Sequence, residues 1–442
     1  MKFHVLTFGC QMNAADSGWL GRSLVQMGWE EVPEDQARVY IVNTCSVRDK
    51  PEQKVYSLLG RIAAHQKRDP SMFCAVGGCV AQQVGSRLWN RFPFVRLVFG
   101  TDGISQAPQA LARIAAQPKL RLSLLDFTES YEERDPALPA MSRSPQAFVN
   151  IMQGCDNYCA YCIVPYVRGR QKSRASAAVL EECRSLAASG VKDVTLLGQN
   201  VNSYGLDAGA ETSFPQLLRA VAAIPGVERL RFTTSHPKDI ADEVIAAFGE
   251  LSNLAPALHL PVQSGSDAVL KRMGRKYTAA QYLSKVEALR RARPDIMLTT
   301  DIIVGFPGET EADFRATMDL IKAARFECSF SFMYCDRPGV ASAKMEPKIP
   351  EEIKSWRLSE LQALQNAQQE AMLENLTGSV AQVLVEGPGS FRDSDAPAWT
   401  GRDAAGRPVN FAAPASPDLA GQIVPVRITM AKKHSLRGEA LS

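Results

Sequence analysis

The sequence predicts an α/β protein in two unequal parts, followed by a small all-β module. Three observations carry that expectation. Over residues 1–117, short apolar runs alternate with stretches of helical period, as in an open parallel sheet. Over residues 142–376 the alternation returns and continues for six rounds, which fits a (β/α)6 partial barrel. From residue 377 the pattern changes to short alternating segments separated by Gly, Pro and Asp, which fits a small β barrel. Residues 118–141, rich in mixed charge and interrupted by prolines, read as a linker.

In the first part, FHVLTFG leads to Cys10, VYIVNT to Cys45 and FCAVGG to Cys79. Helical patterns over Ser17–Met27 and Lys54–Gln66 lie between these strands, and connections of that length favour parallel pairing. In the second part the candidate strands are FVNIMQ, DVTLLG, RLRFTTS, ALHLPV, MLTTDIIVG and CSFSFMY. Amphipathic helices such as Ala279–Arg293 and Thr310–Arg325 separate them, and a charged helix over Trp356–Leu376 follows. SVAQVLVEG, VNFAAP and IVPVRITMA are the strand candidates of the last module.

Composition narrows the class. Of 442 residues, 45% are hydrophobic and 22% charged, as in an ordinary globular chain. A formal charge of +3 is too small to imply nucleic-acid binding, so any basic patch has to be local. No apolar run approaches the ~18 residues that span a bilayer, and the opening MKFHVLTFGCQMN is too short in apolar residues for a secretory signal. Ten cysteines without such a signal suit a reducing compartment, where thiols bind metal or do chemistry. A cytoplasmic protein is expected.

The chemistry centres on FVNIMQGCDNYCAYCIVPYVRGRQKSR, which places Cys155, Cys159 and Cys162 on the loop after a strand. A four-iron cluster ordinarily takes four thiolates, and this loop supplies three. One iron would stay open to a small molecule. A zinc knuckle would need a fourth Cys or His at short spacing, and the loop has none. Cys10, Cys45 and Cys79 recur at intervals of 35 and 34 residues, each after a strand. In a parallel sheet such positions share one edge, so a second three-thiolate cluster is expected there. The competing reading is three cysteines that merely pack well, as Cys74 inside its strand should.

These motifs resemble those of the radical S-adenosylmethionine (SAM) methylthiotransferases, over nearly the whole chain. TFGCQMN, GCDNYCAYCIVPYVRGR, LLGQNVNSYG, TSHP, LHLPVQSGS and DIIVGFPGET are similar to the tRNA-modifying branch of that family. YCDRPGVAS departs from its usual form at Cys335 and Val340, while Arg337, Pro338 and Gly339 remain. The resemblance implies a C-terminal TRAM domain and two [4Fe-4S] clusters, an auxiliary one on Cys10, Cys45 and Cys79 and a SAM-binding one on Cys155, Cys159 and Cys162. It implies that one SAM methylates a cluster-bound sulfur, while a second is cleaved to a 5′-deoxyadenosyl radical. That radical removes hydrogen from carbon 2 of an adenine in isopentenyl-adenosine beside the tRNA anticodon. No side-chain base reaches an unactivated aromatic C–H near neutral pH, so the hard step belongs to the cofactors.

Other candidates carry less. Tyr161 fits packing near the SAM adenine or plain loop packing. Gln199 and Asn200 at a strand end, with Gln263 and Asp301, are candidates for hydrogen bonds to SAM or substrate. The run Arg168, Arg170, Lys172, Arg174 contains no acid and suits tRNA phosphates, the SAM carboxylate or a solvated helix entry. Arg337 is a candidate substrate contact, and Lys432 and Lys433 cluster with His434 and Arg437 in the module expected to hold RNA. His236 before Pro237 reads as a turn residue. The expected partners are the tRNA anticodon stem-loop, a reductase or flavodoxin-type electron donor and iron–sulfur assembly or carrier proteins, with the chain itself a monomer. Competing functions are the same chemistry on threonylcarbamoyl-adenosine or on a ribosomal protein side chain, and a non-catalytic electron carrier or RNA-binding protein.

Overall fold

A computed structural model describes residues 1–46, 51–134, 144–207, 211–389, 398–413 and 418–441. Its first part is a six-stranded, wholly parallel sheet: β1 (Lys2–Thr7), β2 (Glu30–Glu31), β3 (Val39–Thr44), β4 (Phe73–Gly78), β5 (Val95–Phe99) and β6 (Leu122–Leu124), in the order β2-β1-β3-β4-β5-β6. The central strands β3 and β4 are buried along their whole length, the burial expected of a parallel sheet covered on both faces. Helices α1 (Gln11–Gln26), α2 (Pro51–Gln66), α3 (Cys79–Val84), α4 (Leu88–Arg91) and α5 (Ala107–Ala116) make the crossovers. Two apolar cores result. One, around Phe3, Leu20 and Leu111, lies on one side of the sheet; the other, around Leu59, Val76 and Val84, lies on the other.

Three strands were not foreseen in this sheet. β2 is only two residues long. β5 follows directly on Pro93 and a four-residue helix, so little helical period sets it off. β6 falls inside the expected linker: Leu122 and Leu124 pair with Leu97 and Phe99 and pack on the core of the sheet. Residues 135–141 of that linker, and the expected barrel start near Ser142, lie outside the described residues.

The second part is the partial barrel. Its six parallel strands are β7 (Gln146–Asn150), β10 (Asp193–Leu197), β11 (Arg229–Phe232), β12 (Ala257–His259), β13 (Met297–Val304) and β14 (Cys328–Met333), once the ribbon β8 (Met152–Gln153) and β9 (Lys172–Ser173) is set aside. The wall consists of two three-stranded sheets; the bridge Leu230↔Leu254 ties β11 to the segment before β12, and Gln263↔Ile302 continues the β12–β13 pairing past a gap. β12 ends at His259 rather than Val262, because Pro261 has no N–H to offer the ladder. α6 (Val164–Arg168) follows the cysteine loop and packs on α3; outside the barrel run α7 (Ser176–Ala188), α8 (Phe214–Ala222), α9 (Asp242–Glu250), α10 (Asp267–Arg272), α11 (Ala279–Ala292) and α12 (Glu311–Ala324), with α13 (Glu351–Glu374) packed on β14. Capping boxes at Ser213, Thr278 and Thr310 start α8, α11 and α12.

The third part is a closed barrel of β15 (Val380–Pro388), β16 (Ala398–Arg402), β17 (Pro408–Ala412), β18 (Ile423–Lys432) and β19 (Ser435–Ala440), two strands more than the sequence suggested. It sits under the amino ends of the partial barrel. Arg229 donates to the carbonyls of Gln382 (2.6 Å), Arg402 (2.9 Å) and Asp403 (3.2 Å), and Arg231 to that of Ala404 (2.9 Å). Arg407 reaches back to Glu327 at 2.6 Å in a bidentate pair. Among the described residues, no helix is long and apolar enough to cross a membrane.

Candidate functional site

Cys10, Cys45 and Cys79 each stand just past the carboxyl end of β1, β3 and β4, three neighbouring strands. Cys10 is the N-cap of α1 and Cys79 the first residue of α3, so amide-rich helix starts face the thiols. The approach is close enough to demand glycine: a Cβ on Gly9, whose φ is +128°, would fall 2.2 Å from that of Cys45. A Cβ on Gly78, at φ +86°, would strike the Thr44 carbonyl at 2.3 Å. The Cys45 thiol hydrogen-bonds to Cys10 and, with help from Arg168, brings its pKa down to about 5 against the opposing effect of burial. Asn13 and Asn43, bonded to each other at 2.9 Å, brace this corner.

The second triad lies on the loop between β8 and β9. Gly154 donates to Gln199 Oε1 at 2.7 Å, Cys155 to the Gly169 carbonyl at 3.3 Å, and Cys162 to the Cys159 carbonyl at 2.9 Å. Burial first, and the neighbouring thiols next, push Cys162 up to about 12; Cys155 is also raised by burial. Two residues that the sequence did not single out as cluster neighbours flank Cys159. Arg275 Nη1 is 3.6 Å from its sulfur, and the same guanidinium bonds Tyr277 Oη (2.8 Å) and the Pro261 carbonyl (2.6 Å). His236 Nε2 is 3.9 Å from it. Burial, then the Arg275 charge, hold His236 neutral with a pKa of about 2; its Nδ1 accepts from the Lys238 amide at 3.2 Å, which leaves the proton on Nε2, toward the sulfur. His236 is thus more than a turn residue. Only its proline neighbour was visible locally, since Cys159 is 77 residues away.

The two triads meet across α6. Cys79 packs on Ile163, Val167 and Val340, and Ile163 follows Cys162 directly. Arg337, on the loop after β14, donates to the carbonyl of Ser46, the residue after Cys45. One cavity lies here, lined by Tyr161, Cys162, Gln263, Asp301, Phe332 and Arg337, among others. Gln263 and Asp301 therefore face it as expected. Tyr161 lines it too, with its hydroxyl 3.5 Å from Arg275 Nη1. Asn200 faces elsewhere: it is buried, bonds Asp239 at 2.7 Å and borders a separate polar cleft with Asp156 and Asp207. Gln199 spends its side-chain carbonyl on the Gly154 amide, supporting the cysteine loop.

The basic run is the main correction. Arg168 is 3% exposed and faces Cys79, Cys10 and Asp16 rather than solvent. Lys172 is buried against Asp102 at 2.5 Å, and Arg174 against Glu182 (2.6 Å) and Glu133 (3.0 Å). Acids from other elements neutralise Lys172 and Arg174, and Arg168 is enclosed at the first triad, so none of the three is open to tRNA phosphates. Only Arg170 projects outward, 3.5 Å from Asp156. Lys432 and Lys433 are exposed at the β18–β19 turn.

The donor set suits iron–sulfur clusters. Arg168 Nη1 and Nη2, fully buried, meet the Cys79 thiol but no oxygen or nitrogen acceptor at hydrogen-bond distance among the described residues, so they are positioned for an anionic group between Cys10 and Cys79. Among the described residues no three Cys, His, Asp or Glu side chains close on a single ion, whereas a polynuclear cage holds each thiolate on a separate iron.

Family models match in three blocks: the uncharacterized protein family UPF0004 over residues 2–100, the Radical SAM superfamily over 149–321 and the TRAM domain over 374–441. The fold and site define a radical SAM protein with an added parallel sheet and a terminal β barrel. Proteins named tRNA-2-methylthio-N(6)-dimethylallyladenosine synthase are 57% identical in Nitratidesulfovibrio vulgaris Hildenborough (99% of this chain, 98% of the relative) and 55% in Oleidesulfovibrio alaskensis (99% and 98%). One from Lawsonia intracellularis is 50% identical over 100% of this chain and 99% of its own. The chain belongs to this family of radical-SAM methylthiotransferases. Among solved structures, the radical SAM methyltransferase TsrM of Kitasatospora setae, bound to cobalamin and a [4Fe-4S] cluster, shares the fold (TM-score 0.55, 16% identity, 77% of this chain and 74% of that one). So does the cobalamin-dependent radical enzyme OxsB (TM-score 0.55, 12% identity, 82% and 56%).

Proposed function

We propose that this protein transfers a methylthio group to carbon 2 of isopentenyl-adenosine beside the tRNA anticodon. The observation that carries the reading is the adjacency of two thiol triads, brought together by the Cys79–Ile163 packing and the Arg337–Ser46 hydrogen bond, with a cavity beside Cys162. The full-length identity to named synthases supports the choice of substrate.

Cys155, Cys159 and Cys162 would hold a [4Fe-4S] cluster with SAM at its open iron, and Cys10, Cys45 and Cys79 a second. When bound, these groups supply the one-electron cleavage of SAM and the sulfur that is transferred. The chain's own side chains position and screen. Arg275 and the Nε2–H of His236 place positive charge and a donor beside Cys159, where an anionic cluster would be held. Arg168 does the same between Cys10 and Cys79. Asp301 and Gln263 offer polar contacts at the cavity wall to SAM, and Tyr161 an aromatic face. Arg337 is a substrate-facing cation that also joins the two halves. Arg170, Lys432 and Lys433 remain as phosphate contacts for the anticodon stem-loop. A domain division near 142 and 377, with the first part reaching past residue 117 to include β6, a monomeric state, a cytoplasmic location, a flavodoxin-type electron donor and iron–sulfur carrier partners complete the proposal.

The test is mass spectrometry of tRNA nucleosides from cells lacking the gene. Methylthio-isopentenyl-adenosine should vanish and isopentenyl-adenosine accumulate, and wild type but not Cys155→Ala should restore the product. Restoration by Cys155→Ala would refute the reading.

A further inference from the structure

The partial barrel has an inner face that the two triads do not use. Along β13, Leu298, Thr300, Ile302 and Val304 are buried under the helices, so Thr299, Asp301 and Ile303 point into the lumen. Parallel register pairs Asp301 with Phe330 and Ile303 with Phe332, which puts both phenylalanines on that same inner face. Phe330 is 50% exposed and Phe332 38%, although both side chains are wholly apolar. Across the lumen, Thr195 pairs with Phe148 and with Arg231, while Val194 and Leu196 are buried outward. Phe148 is therefore a third lumen phenylalanine, and it too is 38% exposed.

The lumen has different neighbours at its two ends. Its lower end is closed by the terminal barrel, where the loop 403–406 packs on Arg231 and accepts its hydrogen bonds. Arg231 is also paired with Asp193 at 2.9 Å, so this lumen cation is already neutralised. His259 lies edge-on to Phe330 and 3.4 Å from Asp301, extending the lumen wall from β14 across to β12. The upper end runs into the cavity beside Cys162, where Phe332, Ile303 and Met333 continue the apolar wall. An apolar wall continuous with the cavity suits an apolar group inserted from the cavity side.

We propose that Phe330 and Phe332, with Phe148 opposite, form the subsite that takes the alkenyl group on N6 of the target adenosine. The inference rests on the function proposed above. In adenine, C2 and C6 flank the same ring nitrogen. A base that presents C2 to the cavity at Cys162 therefore carries its N6 substituent only a short way off, toward the β14 wall. The alkenyl group is branched and uncharged, and phenylalanine faces bury it without leaving a polar atom unpaired. The carboxylate of a threonylcarbamoyl substituent would meet the same apolar wall beside the Asp301 carboxylate, an unfavourable setting for a second negative charge.

The experiment compares reconstituted, full-length wild type with Phe330→Ala, Phe332→Ala and Phe332→Leu. Each is assayed on anticodon stem-loops bearing isopentenyl-adenosine, plain adenosine or threonylcarbamoyl-adenosine, with the Michaelis constant for SAM measured in parallel. Wild type should prefer the isopentenyl stem-loop. Each alanine variant should reduce that preference by on the order of ten- to a hundredfold, and leucine should retain most of it. Wild-type preference that survives in both alanine variants overturns the subsite, as does an effect confined to the SAM constant; both leave the function proposal standing. A wild type more active on threonylcarbamoyl-adenosine overturns the subsite and the isopentenyl assignment together. A wild type that methylthiolates no stem-loop refutes the function itself, and the subsite with it.

Discussion

Arg275 holds its guanidinium 3.6 Å from the sulfur of Cys159 while bonding the Tyr277 hydroxyl and the Pro261 carbonyl. A charge buried this deeply stays only where its donors are satisfied. The arrangement places a fixed positive charge where thiolates must gather, and it does so from the loop after α10, 116 residues away in sequence.

Replacing Arg275 with Ala should therefore lower iron and sulfide incorporation at the second triad and slow reductive SAM cleavage. Lysine should rescue only in part, because a point charge cannot reproduce a planar fork bonded on two sides. Iron assay, visible absorption and 5′-deoxyadenosine release check this. Full loading in Arg275→Ala would contradict it.

Arg168 makes the corresponding prediction at the first triad. Arg168→Met should remove up to roughly four of roughly eight irons per chain, with SAM cleavage at the other triad persisting. Binding of an anticodon stem-loop should hardly change, because the side chain is 3% exposed. A large loss of RNA affinity with full iron content would restore the phosphate-contact reading.

Phosphate contact is expected instead from exposed cations. Combining Arg170→Ala with Lys432→Ala and Lys433→Ala should weaken stem-loop binding. The dependence of log affinity on log salt should become shallower by about one per phosphate contact removed. An unchanged slope would remove these residues from the interface.

Glu309 and Arg357 tie α13 to the turn after β13 through a buried pair at 2.7 Å. Glu309→Ala leaves the guanidinium without its carboxylate, at a cost of about 3–5 kcal/mol, or roughly 10 °C in thermal midpoint. Burial, opposed by the Gly305 amide and Arg357, pushes the Glu309 carboxyl from its ordinary 4.5 up to about 7. A raised acid binds its proton more tightly when folded. Its contribution is thus fully present below about pH 4.5 and fades as pH rises through 7. The midpoint of wild type minus that of Glu309→Gln should accordingly fall between pH 5 and pH 8.

Much of this was legible in the sequence because it is local. The strand–helix alternation of the two parallel parts repeats at fixed length, and Cys155, Cys159 and Cys162 share one loop. Cys10, Cys45 and Cys79 could be placed together because each ends a strand of one sheet, which needs only parallel topology. What failed depends on distant partners. Arg168, Lys172 and Arg174 form an acid-free run in sequence, but Asp16, Asp102 and Glu182 come to them from other elements. Asn200, a promising strand-end amide, is drawn off by Asp239, 39 residues away. Arg275 showed no local sign of its role, since nothing in RMGRKY reveals that Cys159 lies beside it. β6 was hidden because its short apolar alternation sits among charges and prolines, and only the neighbouring strand makes it a strand.

The most direct measurement is the iron content and Mössbauer spectrum of anaerobically reconstituted wild type, set beside two triple variants. In one, Cys10, Cys45 and Cys79 are changed to alanine; in the other, Cys155, Cys159 and Cys162. Roughly eight irons per chain in wild type and roughly four in each variant, all as four-iron clusters, is the predicted result. Four irons in wild type, or a variant that keeps its full iron after losing a triad, would contradict the assignment of one cluster to each set of thiols.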